Sequence, residues 1–298
     1  MLVFMLTFYM TIHCPFNVSG ESSDSCLAII DGRFKVIDDE INAGGFGRIL
    51  QGFEMNTNKG VAVKTAKYEN PAHVEMLKAE AEVLDELQGI EGVPKLYFYG
   101  YEEDIFYLVM DQLRVDLFED YEFDAITFND AALVGQKIVK VLEGMHDKGY
   151  LHLDIKPENI MKGFTGSDIY LVDYGGSKRF INENREHVQK KKIKSQSQCI
   201  TSEYASINML RNIQPSRKDD LLMLGYTLLD MFGFLPWRKQ ELTPAKMCQA
   251  RMELLRDESV FADLPQMKEY LQYCTKLEFA ARPNYEYLQS LFESLLEA

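Results

Sequence analysis

The chain changes its hydrophobic rhythm within the first ninety residues after the start. Phe34–Ile41 reads as a strand, and a second apolar stretch ending Val61-Ala62-Val63-Lys64 reads as a short buried strand that closes on a lysine. Between them lies Asn42-Ala43-Gly44-Gly45-Phe46-Gly47-Arg48-Ile49. Strand, glycine-rich turn and strand predict a hairpin. A dinucleotide-binding unit would instead need a helix straight after the glycines. From Ala72 to Gly89 the period lengthens: Val74, Leu77, Ala81, Leu84 and Leu87 or Gln88 follow helical spacing, and a glycine ends the run. Glu75, Glu80, Glu82 and Glu86 load this helix with acid. Most of these are solvated charge. One at the right phase can reach Lys64, and spacing alone leaves open which.

The hairpin has a chemical use. Glycines let backbone N–H groups approach phosphates without a Cβ in the way, and a lysine at the end of the following strand suits the α- and β-phosphates of a nucleotide. Taken alone, Gly44-x-x-Gly47 is weak evidence, because most such glycines are ordinary turns. Residues 152–159 carry more: His-Leu-Asp-Ile-Lys-Pro-Glu-Asn, followed by Asp173-Tyr174-Gly175. An isolated His-x-Asp fits a charged surface loop, whereas the full string does not. Asp154 can orient a hydroxyl and accept its proton, Lys156 can steady a phosphoryl group, and Asn159 with Asp173 offers hard oxygen ligands to Mg²⁺.

These parts, in this order, resemble the eukaryotic protein kinases, and the downstream motifs are similar to those of the casein kinase 1 family. They are Tyr204-Ala205-Ser206-Ile207-Asn208, Ser216-Arg217-Lys218-Asp219-Asp220-Leu221 with Leu224-Gly225-Tyr226, Leu235-Pro236-Trp237 and Ala281-Arg282-Pro283-Asn284-Tyr285, together with Leu87-Gln88-Gly89 and Gly92-Val93-Pro94. The likeness runs from about Phe34 to about Leu295. It implies an α+β, two-lobed protein kinase fold, with a small antiparallel β-sheet lobe carrying one helix (about 33–113) and a larger, mainly helical lobe (about 114–298). Residues 1–32 are an extension of uncertain role. The resemblance implies a serine/threonine protein kinase that uses ATP and Mg²⁺. Lys64, Asp154 and Lys156 would be catalytic, and Asn159 and Asp173 would hold the metal. Ile41, Asn42, Gly44, Gly45, Phe46, Gly47, Ile49, Ala62, Glu80, Met110, Asp111, Leu113 and Met161 would surround the nucleotide. Glu80 becomes the partner of Lys64, Met110 the residue beside the adenine, and Asp111–Leu113 the hinge. Glu119 would face the ribose, Asp220 would brace the catalytic loop, and Thr201 would lie against Asp154 and Lys156.

Three positions depart from the family pattern. Asn42 replaces the first glycine of the loop. Leu153 replaces an arginine that receives a phosphorylated activation segment. Glu203 stands where the family carries an arginine that helps bind an anion near the substrate, so a weaker dependence on already phosphorylated substrates than the family norm is expected. Lys190, Lys191, Lys192 and Lys194 lie nearby; a solvated loop is the simpler reading of this run, and compensation for the missing arginine is the other.

Composition narrows the remaining choices. At 298 residues and 46% apolar content the chain can bury one sizeable core. A net charge of −14 argues against direct nucleic-acid binding, which needs a basic face. The expected partners are protein substrates, with no transmembrane anchor and a monomeric state. Five scattered cysteines, an odd number without metal spacing, point to reduced thiols and a cytoplasmic or nuclear setting. Leu2–Ile12 is an apolar run of signal-peptide length, and Asn17-Val18-Ser19 is a formal glycosylation site. No Lys or Arg precedes Arg33, however, so secretion is the minority reading, behind a strand or helix packed on the small lobe or an upstream start codon not used in the cell. The chain stops soon after its last expected helix, Tyr285–Leu296, and inhibition by a long C-terminal tail in cis is not expected. The alternatives to an active enzyme are a pseudokinase scaffold, which would have lost Lys64, Asp154, Asn159 or Asp173, and a small-molecule kinase, against which Thr201–Asn208 speaks.

Overall fold

The computed structural model describes residues 26–44, 47–117, 127–165, 168–193, 203–238 and 240–296. These form two compact units. One contains the described residues up to Gln88 with Pro94–Val115 and a return of the chain at Lys162. The other contains Gly89–Val93, Asp116–Met161 and the described residues from Asp168 onward.

The first unit is a six-stranded sheet, β1 (Cys26–Ile30), β2 (Phe34–Gly44), β3 (Gly47–Glu54), β4 (Lys59–Lys67), β5 (Leu96–Glu102) and β6 (Ile105–Asp111), with one helix, α1 (Pro71–Glu86). Its spatial order is β1-β2-β3-β4-β6-β5, every neighbouring pair antiparallel. The expected domain start at residue 33 leaves out β1, which pairs with β2 and buries Ile30 completely. Three residues make the intervening turn, with Asp31 and Gly32 left-handed at φ 51° and 57° and Arg33 N–H donating back to Ile30 O at 2.9 Å. One face of the sheet is a dry core of Ile30, Phe34, Val36, Leu50, Val61, Val63, Tyr107 and Val109. Alternation sends their neighbours to the opposite face. Asn70 caps α1, its side chain accepting from His73 N–H at 3.4 Å, and Pro71 occupies the first turn, where no N–H is needed. The helix ends at Glu86, three residues before the glycine expected to stop it. Gln88 then ties the exit down, donating to Leu84 O and Pro94 O and accepting from Leu96 N–H.

After β7 (Val115–Asp116) the second unit is mainly helical, as expected from the larger lobe: α2 (Phe128–Asp147), α3 (Ile207–Leu210), α4 (Arg217–Met231), α5 (Pro244–Leu254), α6 (Pro265–Lys276) and α7 (Tyr285–Leu296). Thr127 and Asp130 form a reciprocal capping box on α2. Gly135 lets α2 approach α7 closely, since a Cβ there would lie 2.6 Å from the Phe292 ring, and Gln136 reaches Glu293 at 2.9 Å. Short strands β8 (Tyr150–Leu151), β9 (Ile160–Lys162), β10 (Ile169–Leu171) and β11 (Lys178–Arg179) frame the loop that follows α2, and β11 pairs with β8. Almost every residue of α4 from Asp219 to Leu229 is buried, which makes it the helix around which this unit packs. None of the helices described is long and apolar enough to cross a membrane.

Candidate active site

The first unit supplies a sheet face. Cross-strand register pairs Ile49 with Lys64 and Ala62 with Met110, and Ala62 and Lys64 are two apart on β4, so all four share the side opposite the dry core. The backbone of β2 and β3 brings Gly44 opposite Gly47 and Asn42 opposite Ile49. Gly45 and Phe46 lie outside the described residues. From α1, Glu80 reaches Lys64 with an Oε1–Nζ distance of 2.5 Å, and both side chains are largely withdrawn from solvent. Of the four candidate acids, Glu80 is the one buried in the helix. A buried carboxylate next to a strand lysine holds the ammonium in one place, where it can meet a phosphate.

Met110 and Asp111 end β6, and Leu113 is buried just beyond. The Asp111 side chain is turned to other groups of this unit. Its carboxylate accepts from Lys59 Nζ at 2.8 Å, Tyr97 Oη at 2.6 Å and Lys95 N–H at 3.0 Å.

The second unit supplies the loop 152–159 and the turn at Asp173. His152, Leu153 and Asp154 are buried, and the loop hangs from Asp220 on α4. The Asp220 carboxylate accepts from His152 N–H at 2.9 Å and Leu153 N–H at 2.8 Å, and it lies 2.9 Å from His146 Nε2. Burial keeps the His152 imidazole neutral by pushing its pKa below the usual range. Nε2 faces the Val172 carbonyl at 3.0 Å and must carry the proton, so Nδ1 accepts from Asp154 N–H at 3.3 Å. Leu153 takes φ 68°, a left-handed conformation strained for a leucine.

Asp154 is then surrounded. Its Oδ2 accepts from Lys156 Nζ and from Asn159 Nδ2, both at 2.9 Å, and Asn159 also donates to the Asp154 carbonyl at 2.7 Å. The other oxygen, Oδ1, is buried without a hydrogen-bond partner. A buried acceptor in that state is costly unless a donor arrives, which suits a substrate hydroxyl. Burial opposes the charge on Lys156, but the Asp154 carboxylate outweighs it, and the ammonium pKa lies above the ordinary value. Asn159 spends its N–H groups on Asp154 and so presents an amide oxygen to a cation. Asp173 sits in a left-handed turn, φ 67° and ψ 77°. An amide oxygen and a carboxylate are donors of the kind Mg²⁺ accepts alongside water and phosphate. No cluster of three or more acidic, histidine or cysteine side chains that could hold a metal occurs among the described residues. Tyr174 locks the turn by donating its hydroxyl to Leu171 O at 2.7 Å. Met161 is half-buried on β9, and Glu119 and Thr201 lie outside the described residues.

A protein kinase domain profile matches residues 36–297. A probable casein kinase I homolog of Encephalitozoon cuniculi (strain GB-M1) is 34% identical over 269 residues, covering 87% of this chain and 84% of that one. Casein kinase I homolog 3 of Schizosaccharomyces pombe is 30% identical over 290 residues, 92% of this chain and 65% of that one, so the chain spans just under two thirds of that relative. The chain belongs to the protein kinase family, in its casein kinase 1 branch. It is an ATP-dependent protein serine/threonine kinase.

In this kinase one of the residues that depart from the family pattern has partners of its own. Glu203, placed where an arginine was expected, pairs with Arg238 at 3.2 Å. Arg238 also meets Asp230 at 3.1 Å and Tyr204 Oη at 2.7 Å. The Glu203 carbonyl accepts from Trp237 Nε1 and Arg251, both at 2.8 Å. Lys190, Lys191 and Lys192 are exposed, and Lys192 makes a β-bridge to Ile213 while Lys190 stands over the Phe279 ring. Lys194 lies outside the described residues.

Sequence reading missed several supports of the kinase site. The neutral His152, the Tyr174 hydroxyl and the Lys59–Tyr97 grip on Asp111 carried no signal of their own. Asp219 did carry one. Ser216-x-x-Asp219 is a capping-box pattern, and the Asp219 carboxylate accepts from Ser216 N–H at 2.7 Å, Ser206 Oγ at 2.5 Å and Asn208 Nδ2 at 3.0 Å.

Proposed function

We propose that the kinase transfers the γ-phosphoryl group of Mg²⁺-bound ATP to serine and threonine hydroxyls of protein substrates. Asp154 accepts a hydrogen bond from the incoming hydroxyl on Oδ1, orients it and takes its proton. Lys156 neutralises charge as it shifts onto the phosphoryl oxygens. Lys64, held by Glu80, positions the α- and β-phosphates, while Ile49, Ala62, Met110 and Met161 contact the base. Asn159 and Asp173 would hold the metal, which when bound would offset the negative charge of the phosphates. Catalysis here is alignment plus charge stabilisation. Dependence on a phosphate already upstream of the target is weaker than the family norm, because Glu203, paired with Arg238, stands where an arginine would attract an anion.

The observation that carries this reading is the buried, partnerless Oδ1 of Asp154 in a loop whose Lys156 and Asn159 already occupy Oδ2. A peptide array phosphorylated by the purified protein, with primed and unprimed versions of each peptide, tests it. Asp154→Asn and Lys64→Met are expected to lower transfer by about 10²–10⁴-fold, the scale of a positioned acid–base group. Protein that binds Mg-ATP but phosphorylates no peptide would favour the scaffold reading. A large gain in kcat/KM from priming would overturn the weaker dependence on it.

A further inference from the structure

We propose that Lys59, Tyr97 and Asp111 form a clasp that fixes the chain at Asp111–Arg114 for the adenine of ATP, so that Lys59 and Tyr97 are positioning residues for nucleotide binding. This rests on the reading of Asp111–Leu113 as the segment that meets the base.

The clasp joins three strands at one end of the sheet: Lys59 opens β4, Tyr97 lies in β5 and Asp111 closes β6. Asp111 Oδ1 takes both Lys59 Nζ and Tyr97 Oη, and Oδ2 takes Lys95 N–H. Lys59 Nζ also donates to Tyr97 Oη, which closes the triangle. The Asp111 N–H returns a bond to Lys95 O at 2.9 Å, and the Lys59 and Lys95 ammonium groups each stand 5.1 Å from the Tyr97 ring centroid. Bonding to Asp111 and Tyr97 holds the Lys59 ammonium pKa above its ordinary range. Burial works against the Asp111 charge, and the bonds from Lys59 and Tyr97 more than offset it.

The residues after Asp111 are fixed as well. Gln112 lies across Gly60, where a Cβ would come within 2.1 Å of its Oε1, so a larger residue at 60 would push the end of that side chain aside. Leu113 is buried, and Arg114 N–H donates to Lys162 O at 2.9 Å. Backbone groups of this stretch are therefore held before any ligand arrives, and holding them early removes the ordering cost from binding. The competing explanation is a surface ion pair that only tidies the sheet end. With Lys59 half exposed, such a pair adds little to stability. Four bonds converging on one carboxylate and its own backbone serve position better than stability.

The experiment uses the full chain. Steady-state kinetics with ATP varied at saturating peptide are compared for wild type, Lys59→Met, Lys59→Arg and Tyr97→Phe, and inhibition is measured with adenosine and with inorganic tripolyphosphate. Lys59→Met and Tyr97→Phe should raise KM for ATP and the adenosine inhibition constant about three- to fivefold, with kcat held within about twofold and tripolyphosphate inhibition unchanged. Lys59→Arg should restore the wild-type values. Unchanged KM and adenosine inhibition in both variants would overturn the inference. Equal weakening of adenosine and tripolyphosphate alongside a lower Tm would also overturn it, by showing a purely structural pair. If wild type itself responds to neither ATP nor adenosine, the ATP-site reading fails and takes the clasp with it.

Discussion

Asp219 and Asp220 are adjacent, fully buried carboxylates in the first turn of α4, and they brace different regions by different means. Asp220 holds the catalytic loop mainly by its backbone, through the N–H groups of His152 and Leu153. Asp219 holds the segment 206–216 largely by side chains, the Ser206 hydroxyl and the Asn208 amide, with Ser216 N–H. Backbone donors come with any residue but proline. Side-chain donors must be specified. The loop can therefore carry Leu153 where an arginine is the family pattern, because nothing that Asp220 grips belongs to that side chain. Ser206 and Asn208 have no such freedom. The burden on Asp219 is visible in its titration: burial raises its pKa, and the Ser206, Ser216 and Asn208 bonds only partly compensate.

The largest break in this comparison should come from Asp220→Asn. An amide places an N–H against at least one donor, and the loop shifts. A misplacement of even an ångström at the reacting group costs about 10²-fold in rate, so kcat should fall on that scale, measured at saturating ATP and peptide. Ser206→Ala should be milder. It removes one bond from a buried carboxylate, at a cost of about 1–3 kcal/mol, and urea unfolding should show that loss together with a rise in KM for peptide. Leu153→Ala sharpens the contrast. It empties a buried site, lowering stability by about 2–5 kcal/mol, yet leaves both backbone bonds to Asp220 in place, so kcat should stay within about threefold on the 1 kcal/mol scale of a lesser contact. A fall in kcat as large as that of Asp220→Asn would show that the leucine side chain positions the loop after all.

The smallest expected effect is with pH. His152 and His187 are both kept neutral by burial, their pKa values lowered. As pH falls below the ordinary histidine value of about 6.5, the unfolded chain takes up protons that the folded chain refuses, so this part of stability is complete above that pH and drains away beneath it. Tm should fall between about pH 7 and pH 5.5, and the slope should flatten in His152→Gln.

What the sequence disclosed depended on whether the partners were local. The hairpin, the lysine of β4 and the acid-rich helix all followed from spacing within a dozen or so residues, although β4 runs on past Lys64 to Lys67 instead of closing there. The helix itself runs Pro71–Glu86 rather than Ala72–Gly89, because Asn70 caps its start and its last turn closes at the Leu87 C-cap, two residues before Gly89 turns left-handed at φ 88°. The bounds of β1 could not be read, because five apolar-leaning residues beside a polar stretch give too short a period. Glu80 could be separated from Glu75, Glu82 and Glu86 by resemblance, not by spacing. Adjacent residues on a helix point about 100° apart, so Asp219 and Asp220 were bound to face different neighbours, but which neighbours depends on contacts made 11 to 74 residues away. The Lys59–Asp111 bond spans 52 residues and has no periodic trace.

The closeness of α2 and α7 has a consequence for how the protein is made. The notch at Gly135 is filled by Phe292, and Gln136 meets Glu293 across 157 residues of chain. On the ribosome, α2 emerges long before the helix that covers it, so its apolar side waits exposed while the intervening chain is synthesised. The loop bearing Asp154 follows directly from α2, and its brace at Asp220 also emerges well after it. Competence for catalysis is thus among the last properties the nascent chain acquires, and in the interval the bare flank of α2 is a natural target for chaperones.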